Sequence, residues 1–105
     1  MTDDDRRLIR AKIEDDSCNR IVVIHGTDTM IQTANMLHDI PGKTIVLTGS
    51  MQPARFKSTD AAFNVGVAVG AAQALPPGVY IAMSGRILDP RHARKNLDQG
   101  CFEMI

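Results

Sequence analysis

The 105-residue sequence contains no tryptophan, and its aromatic residues are three phenylalanines and one tyrosine. Proteins that bind single-stranded nucleic acid stack bases on aromatic side chains, so this composition disfavours that class. Net charge is also lacking, because twelve basic and twelve acidic residues cancel. Without a basic field to attract phosphate groups, we expect neither nucleic acid nor a membrane surface among the partners.

Long apolar runs and paired cysteines are lacking as well. No stretch approaches the roughly 18 consecutive apolar residues that a membrane span requires. The acidic start at Asp3, Asp4 and Asp5 differs from a secretory signal, which carries basic residues and then an apolar segment. The two cysteines, Cys18 and Cys101, lie far apart and form no Cys-x-x-Cys pair. This pattern predicts free thiols, a cytoplasmic location and no metal site.

The remaining composition is that of a globular protein, with 44% hydrophobic and 23% charged residues. The length suffices for one domain with one core, so we predict that residues 1–105 form a single domain. Its first element is predicted to be a helix capped by Thr2, since the three aspartates that follow favour the positive end of a helix dipole. Leu8, Ile9 and Ile13 are expected to form the apolar stripe of this helix.

Strand and helix patterns then alternate along the chain. Four β-branched residues in a row at 21–24 predict a strand buried on both faces, which is typical of a parallel sheet. Further strands are predicted at 44–47, 79–83 and 87–88. Helices are predicted at 30–37 and 61–75, the second apolar on nearly every side and therefore well buried. Residues 91–97 are predicted to add one or two helical turns.

This order of elements indicates a three-layer α/β fold with a mainly parallel sheet and helices on both faces. In such sheets, ligands bind beyond the carboxyl ends of the strands. The candidate binding loops are therefore residues 26–30, 48–57 and 84–95.

The first of these loops reads His25-Gly26-Thr27-Asp28-Thr29. Thr27 or Asp28 is suited to cap the following helix, because a side-chain oxygen accepts its free amide hydrogens. The same hydroxyl and carboxylate are suited to bind a ligand, and the loop alone does not decide between the two interpretations. His25 is also open to two interpretations, a general base or a hydrogen-bonded structural residue.

The other two loops carry weaker signals, and the loop at 48–57 is ordinary by composition. The third loop offers four polar side chains, Asp89, Arg91, His92 and Lys95. A lysine gains chemical meaning only if a carboxylate and a hydroxyl lie beside it, where it holds a proton donor in place or lowers the pKa of a nucleophile. The serine hydrolase motif Gly-x-Ser-x-Gly and the glycine-rich nucleotide motifs are absent from the sequence.

Three segments together resemble the bacterial-type L-asparaginase family. Residues 21–37, reading IVVIHGTDTMIQTANML, resemble a signature of that family, in which HGTDT is quite specific. Residues 44–69 resemble the next segment, with TIVLTGSMQP and then STDAAFNV, and residues 78–96 resemble the strand and loop that follow. The segments occur in the family's order and cover most of the chain. The resemblance implies the flavodoxin-like or Rossmann-like fold of the family's N-terminal domain.

The resemblance also implies hydrolysis of L-asparagine, or of L-glutamine, with release of ammonia through a threonine acyl-enzyme and without metal or cofactor. The family's catalytic residues fall on Thr27, Asp28 and Lys95. Thr27 is implied to activate the nucleophile or water, or to polarise the scissile amide. Asp28 is implied to hold the substrate's α-ammonium and to position Lys95. Gly26 and Ser50 are implied to line the substrate site, and the family is usually a homo-oligomer.

The sequence departs from the family in its first part. Family members begin with a strand and a Thr-Gly-Gly-Thr-Ile motif whose first threonine is the nucleophile, and no such motif occurs in the 105 residues. We therefore expect a short, single-domain member that lacks this N-terminal segment, leaves a sheet edge uncovered and has little or no asparaginase activity alone. Two other hypotheses stay open, a non-catalytic amino-acid-binding module and an oligomerisation module with exposed apolar surface.

Overall fold

The computed structural model describes residues 1–51, 60–96 and 101–105. The helices are α1 (Asp3–Asp15), α2 (Met30–Asn35) and α3 (Ala61–Ala74), and a 3₁₀ turn spans Pro90–His92. The strands are β1 (Arg20–Ile24), β2 (Thr44–Thr48), β3 (Gly78–Met83), β4 (Arg86–Leu88), β5 (Ala93–Asn96) and β6 (Cys101–Met104). Within these ranges, none of the helices combines the length and apolar character that crossing a membrane requires.

The described strands form two sheets. The larger sheet has the order β1-β2-β3-β4, in which β1, β2 and β3 are parallel and β4 is antiparallel to β3. The predicted mainly parallel sheet is therefore confirmed, and the short strand predicted at 87–88 lies on its edge. In the smaller sheet, β5 and β6 pair antiparallel. Because β1 and β2 run in the same direction, the loops that follow them emerge at the same edge of the larger sheet.

Helices cover both faces of the larger sheet, as predicted for a three-layer fold. On one face, Ile45 and Leu47 of β2 join a buried cluster that includes Ile13 of α1 and Met30 of α2. On the other face, the alternate residue Val46 packs with Ala68 and Ala72 of α3 and with Ala82 of β3. The period of two along the strand thus divides its side chains between two cores.

Helix α1 begins as predicted, with Thr2 as its N-cap. The Asp5 amide donates to Thr2 Oγ1 at 3.2 Å, and the Thr2 amide donates to Asp5 Oδ2 at 2.9 Å, which together form a capping box. The predicted apolar stripe is wrong at Leu8, which is exposed, while Arg6 is buried together with Ile13. The reason is that Arg6 finds a buried hydrogen-bond partner on α2.

The burial predicted for β1 and for α3 is also wrong for part of each element. Strand β1 ends in Ile24, which is 71% exposed, because β1 lies at the end of the described sheet and pairs there with β2 alone. Helix α3 buries Asn64, Ala68 and Ala72 against the sheet, but its outward face leaves Phe63 61% exposed. Ser58, Thr59 and Asp60 precede α3 and are all residue types that cap helices. Asp60 occupies the N-cap position, and the other two lie outside the described residues.

The helical turns predicted at 91–97 are wrong beyond the short 3₁₀ turn. Residues Ala93–Asn96 form β5 because they pair with β6, so that Lys95 faces Phe102 across the ladder. The sequence Ala-Arg-Lys-Asn has little strand propensity of its own, and pairing with a partner strand overrides that preference. Leu97, the last residue of the predicted helix, lies outside the described residues.

Candidate functional site

The loop at 26–29 leaves the carboxyl end of β1 and leads into α2. The His25 amide donates to the Thr48 carbonyl at 2.8 Å, which extends the pairing of β1 with β2 up to the start of this loop. Thr29 occupies the N-cap position of α2, so neither Thr27 nor Asp28 is the cap residue. The helix-cap interpretation of those two residues is therefore wrong, and their side chains are engaged elsewhere.

Lys95 of β5 meets both of these side chains. Its Nζ atom donates to Thr27 Oγ1 at 2.9 Å and to Asp28 Oδ1 at 2.7 Å. The lysine side chain is 18% exposed, whereas the Asp28 side chain is 89% exposed. Lys95 follows Thr27 by 68 positions and Asp28 by 67 positions in the sequence, and the structure brings the three residues together. The hydroxyl and the carboxylate that a functional lysine requires are therefore both present beside Lys95.

The contact with Lys95 changes the electrostatics of the loop. Its hydrogen bond and its positive charge hold the pKa of the Asp28 carboxyl below the ordinary value of 3.8. A charged lysine has donors and no acceptor, so Thr27 Oγ1 must accept from it. The hydroxyl proton of Thr27 is then free to be donated away from Lys95, to a group in the site.

The turn after β2 lies beside this loop and depends on Gly49. A Cβ atom at Gly49 would clash with the backbone oxygen of His25, so only glycine permits β1 and β2 to approach so closely at their ends. Ser50 follows directly and is partly buried, and its hydroxyl donates to the Asp60 carboxylate. Asp60 also accepts from the Met51 amide at 3.0 Å. The predicted substrate residue Ser50 is thereby held at the same edge of the sheet as Thr27.

Asn64 is a residue of this region that sequence reasoning missed. Its side chain is fully buried, and its Nδ2 atom donates to the Gly49 carbonyl at 2.8 Å and to Asp60 Oδ2 at 3.1 Å. Its Oδ1 atom accepts from the Ser84 amide at 3.0 Å. One amide therefore ties together the loops that follow β2 and β3. An asparagine within an apolar helix was the available signal, since a polar side chain in such a helix requires hydrogen-bond partners.

The remaining polar candidates serve local structure. Asp89 caps the 3₁₀ turn and forms a bidentate ion pair with Arg91, in which Arg91 Nε donates to Oδ1 at 3.2 Å and Nη2 donates to Oδ2 at 3.0 Å. His92 is exposed. The ring nitrogens of His25 contact the Gly26 carbonyl and Thr33, which favours its structural interpretation over a general base. Among the residues that the structure describes, no three His, Cys, Asp or Glu side chains converge to hold a metal ion.

Comparisons with known proteins find similar sequences and a similar fold. A family model described as "Asparaginase, N-terminal" matches residues 1–101. The chain is 41% identical over 91 residues to a glutaminase-asparaginase of Pseudomonas aeruginosa, which covers 81% of this chain. It is 35% identical over 97 residues to a glutaminase-asparaginase of Acinetobacter glutaminasificans, which covers 88% of this chain. The solved structure of the thermostable L-asparaginase from Thermococcus kodakarensis matches 100% of this chain with a TM-score of 0.88 at 30% identity.

The chain spans only part of each of these proteins. It covers 25% of the Pseudomonas relative, 29% of the Acinetobacter relative and 34% of the Thermococcus chain. The TM-score confirms the predicted α/β fold for the described residues. The similarity is to the N-terminal part of these proteins, which is where the family model places it.

Proposed function

Because the chain belongs to the asparaginase family, we propose that Thr27, Asp28 and Lys95 are the proton-handling part of an amide-hydrolysing active site. The observation that carries this proposal is the pair of hydrogen bonds that Lys95 makes to Thr27 and Asp28. A hydroxyl and a carboxylate that both accept from one ammonium are the components of a proton relay comparable to a catalytic triad. Their place beyond the carboxyl end of β1 is where α/β sheets bind ligands.

The proposed substrate is L-asparagine or L-glutamine. The glutaminase-asparaginases that the chain resembles are named for both amides. The exposed carboxylate of Asp28 is suited to bind the α-ammonium of a free amino acid, and the depressed pKa of Asp28 keeps that carboxylate charged. Gly26 and Ser50 are proposed to line the same pocket, since the loops after β1 and β2 meet at one edge of the sheet.

The proposed reaction has two steps and needs no cofactor. In acylation, the nucleophile oxygen bonds to the amide carbon, the carbon–nitrogen bond breaks, and the nucleophile's proton leaves with the nitrogen as ammonia. Thr27 and Lys95 are proposed to carry that proton and to donate to the amide as it reacts. In the second step, water cleaves the acyl-enzyme ester, which gives the free acid and restores the hydroxyl of the nucleophile.

The nucleophile is the component that these 105 residues do not supply, since no Thr-Gly-Gly-Thr motif occurs in them. We propose that a strand bearing this motif pairs with β1. Among the described residues, β1 pairs only with β2, and its apolar run Ile21, Val22, Val23 and Ile24 has the pattern of a strand with neighbours on both sides. The 105-residue chain alone is accordingly expected to show little or no asparaginase activity.

Self-association in the cytoplasm is a further part of the proposal. Helix α3 contains no charged residue from Ala61 to Ala74, and it exposes Phe63 and Val69 on its outward face. Such an apolar surface supports assembly with a second copy of the chain. The cysteines Cys18 and Cys101 are free thiols, which suits a reducing compartment.

A non-catalytic amino-acid-binding module is the alternative. The lack of a Thr-Gly-Gly-Thr motif in these residues favours it, because Thr27 and Lys95 then have no nucleophile to serve. Asp28 would still be available to bind the α-ammonium of an amino acid. The two functions differ in whether ammonia is released.

The test is an assay of ammonia release from L-asparagine and L-glutamine. It compares the 105-residue chain with a form that is extended by the residues encoded immediately upstream. We expect activity in the extended form if those residues carry a Thr-Gly-Gly-Thr strand, and an at least hundredfold loss on Lys95→Met. The exposed Lys12 on α1 provides a matched control, because Lys12→Met removes the same charge far from the loop.

The outcomes separate the two functions. Ammonia release by the 105-residue chain above the level of its Thr27→Ala variant would contradict the proposal that the nucleophile lies outside these residues. If an extended form that carries the motif folds and binds L-aspartate without turnover, the amino-acid-binding function replaces the catalytic one.

A further inference from the structure

A second polar cluster lies behind the loop at 26–29 and has no part in the proposed proton relay. It consists of Arg6 from α1, Thr33 from α2 and His25 at the end of β1. These residues are 7%, 0% and 8% exposed, respectively. Buried polar groups are retained when they are fully hydrogen-bonded and fix a specific arrangement, so the direction of each hydrogen bond in this cluster is informative.

One end of the cluster is fixed by Arg6. Its Nε atom donates to Thr33 Oγ1 at 3.0 Å, and arginine has no acceptor, so the threonine oxygen must accept. The hydroxyl proton of Thr33 is then available to His25 Nε2, which lies 2.8 Å away. The thioether of Met1 is a poorer and more distant acceptor for that proton, at 3.7 Å. His25 Nε2 is therefore the acceptor in this pair.

The other end is fixed by the Gly26 carbonyl. His25 Nδ1 lies 2.6 Å from this oxygen, which can only accept, so Nδ1 must carry the proton. The two ends thus independently require the same neutral tautomer, with hydrogen on Nδ1 and a lone pair on Nε2. The opposing contact is Met1 Sδ at 3.1 Å from Nε2, a weak acceptor that would favour hydrogen on Nε2.

We propose that Arg6, Thr33 and His25 are positioning residues, which hold the Gly26 carbonyl through a directed hydrogen-bond chain and thereby keep Thr27 and Asp28 within reach of Lys95. These hydrogen bonds run from the Arg6 guanidinium through the Thr33 hydroxyl and the His25 imidazole to the backbone just before Thr27. This proposal rests on the proposed function only in its purpose, which is to hold the loop at 26–29 in place for catalysis. The hydrogen-bond chain itself is tested without any substrate.

The first measurement is the tautomer of His25 in the full 105-residue chain, read from long-range nitrogen–proton NMR spectra of its imidazole ring. When the ring is neutral, we expect hydrogen on Nδ1. Hydrogen on Nε2 would overturn the proposal, because it would mean that the ring donates to Met1 or Thr33 and leaves the Gly26 carbonyl unbound.

Variants of Thr33 then test whether these hydrogen bonds position the loop at 26–29. Thr33→Val removes the hydroxyl and should weaken the preference for hydrogen on Nδ1, because the Gly26 carbonyl alone then favours it while Met1 Sδ opposes it. It should also return the pKa of Asp28, followed by carbon NMR, towards the ordinary value of 3.8 as the loop moves away from Lys95. Thr33→Ser restores the hydroxyl and should restore both signals.

The matched control is Thr48→Val, which removes another fully buried hydroxyl, one that donates to the Ala82 carbonyl. It should destabilise the fold while leaving the His25 tautomer and the pKa of Asp28 unchanged. If Thr33→Val also leaves both signals unchanged, Thr33 is merely structural and the proposal fails. Failure of the ammonia assay leaves these signals untouched, so the two failures are distinguishable.

Discussion

Strands β1 and β2 have similar sequences but different surroundings. β1 reads Arg-Ile-Val-Val-Ile and β2 reads Thr-Ile-Val-Leu-Thr, and they pair in parallel register. All five residues of β2 are buried, whereas β1 is exposed at both ends and half-buried between them. β2 has a strand on each side, while β1, within the described part of the chain, has a neighbour on one side.

The difference shows how far burial of a strand can be predicted from its sequence. A run of β-branched residues indicates that a strand is suited to burial on both faces, but its position in the sheet decides how much burial it obtains. The low burial of β1 is the physical basis for proposing that another strand pairs beside it. The two loops that follow these strands carry the candidate site.

The largest expected effect comes from truncating the register partners Ile45 and Ile21 to alanine. Ile45 is fully buried, so Ile45→Ala should lower the free energy of unfolding by about 2–5 kcal/mol through lost burial and the cavity that remains. Ile21 is half-buried, so Ile21→Ala should cost clearly less. Urea denaturation of the two variants measures both values, and equal losses would show that β1 is as well covered as β2.

The next largest effect is expected in the loops that follow β2 and β3. Asn64→Ala leaves the Gly49 carbonyl and the Ser84 amide without their side-chain partner, at a cost of about 1–3 kcal/mol for each buried group. The exposed Gln73 on the same helix is the matched control, and Gln73→Ala should be nearly neutral. Thermal unfolding of both variants decides the matter, and a neutral Asn64→Ala would show that the loop after β2 is held by other contacts.

Several of these features were predictable from the sequence, because they are local. The Thr2 cap follows from short-range helix chemistry, and three parallel strands follow from their apolar patterns. The resemblance to asparaginases selected Thr27, Asp28 and Lys95, and the structure brings these three side chains into contact. Their catalytic roles stay a prediction.

The features that were missed depend on contacts between distant residues. The apolar stripe predicted for α1 did not include Arg6, which is buried because a threonine 27 residues away provides a hydrogen-bond partner for it. Strand β5 was expected to be helical, because pairing with β6 cannot be read from the sequence of β5 alone. Asn64 joins two loops that are separated in sequence, so its place in an apolar helix indicates that it needs hydrogen-bond partners but does not identify them.

A smaller effect on stability is expected from the ion pair between Asp28 and Lys95. The pKa of Asp28 is lowered in the folded chain, so its contribution to stability is fully present above the ordinary pKa of 3.8 and is lost as the pH falls through the folded-state pKa. Lys95→Met removes that contribution. The difference in unfolding free energy between the wild type and Lys95→Met should therefore shrink on acidification below this value, and a difference that is independent of pH would contradict the ion pair.

The smallest effect is expected at the exposed end of β1. Ile24→Thr replaces a largely exposed residue by one that keeps a β-branched side chain, so the unfolding free energy should change by no more than about 0.5 kcal/mol. A loss of 2 kcal/mol or more, on the order of a core truncation, would show that Ile24 is covered in solution. Chemical denaturation at two protein concentrations would then tell whether a second copy of the chain provides the cover.

A titration of the 105-residue chain with L-aspartate, followed by NMR, tests directly whether Thr27, Asp28 and Lys95 form a binding site. Saturable shifts are expected at Thr27, Asp28 and Lys95, with affinity lowered about tenfold or more in Asp28→Asn, since a charge-assisted hydrogen bond is lost. Asp15→Asn, which alters an exposed carboxylate at the end of α1, should bind like the wild type. Equal binding by the wild type and Asp28→Asn, or shifts that map away from the Lys95 contacts, would show that these residues do not form the substrate site.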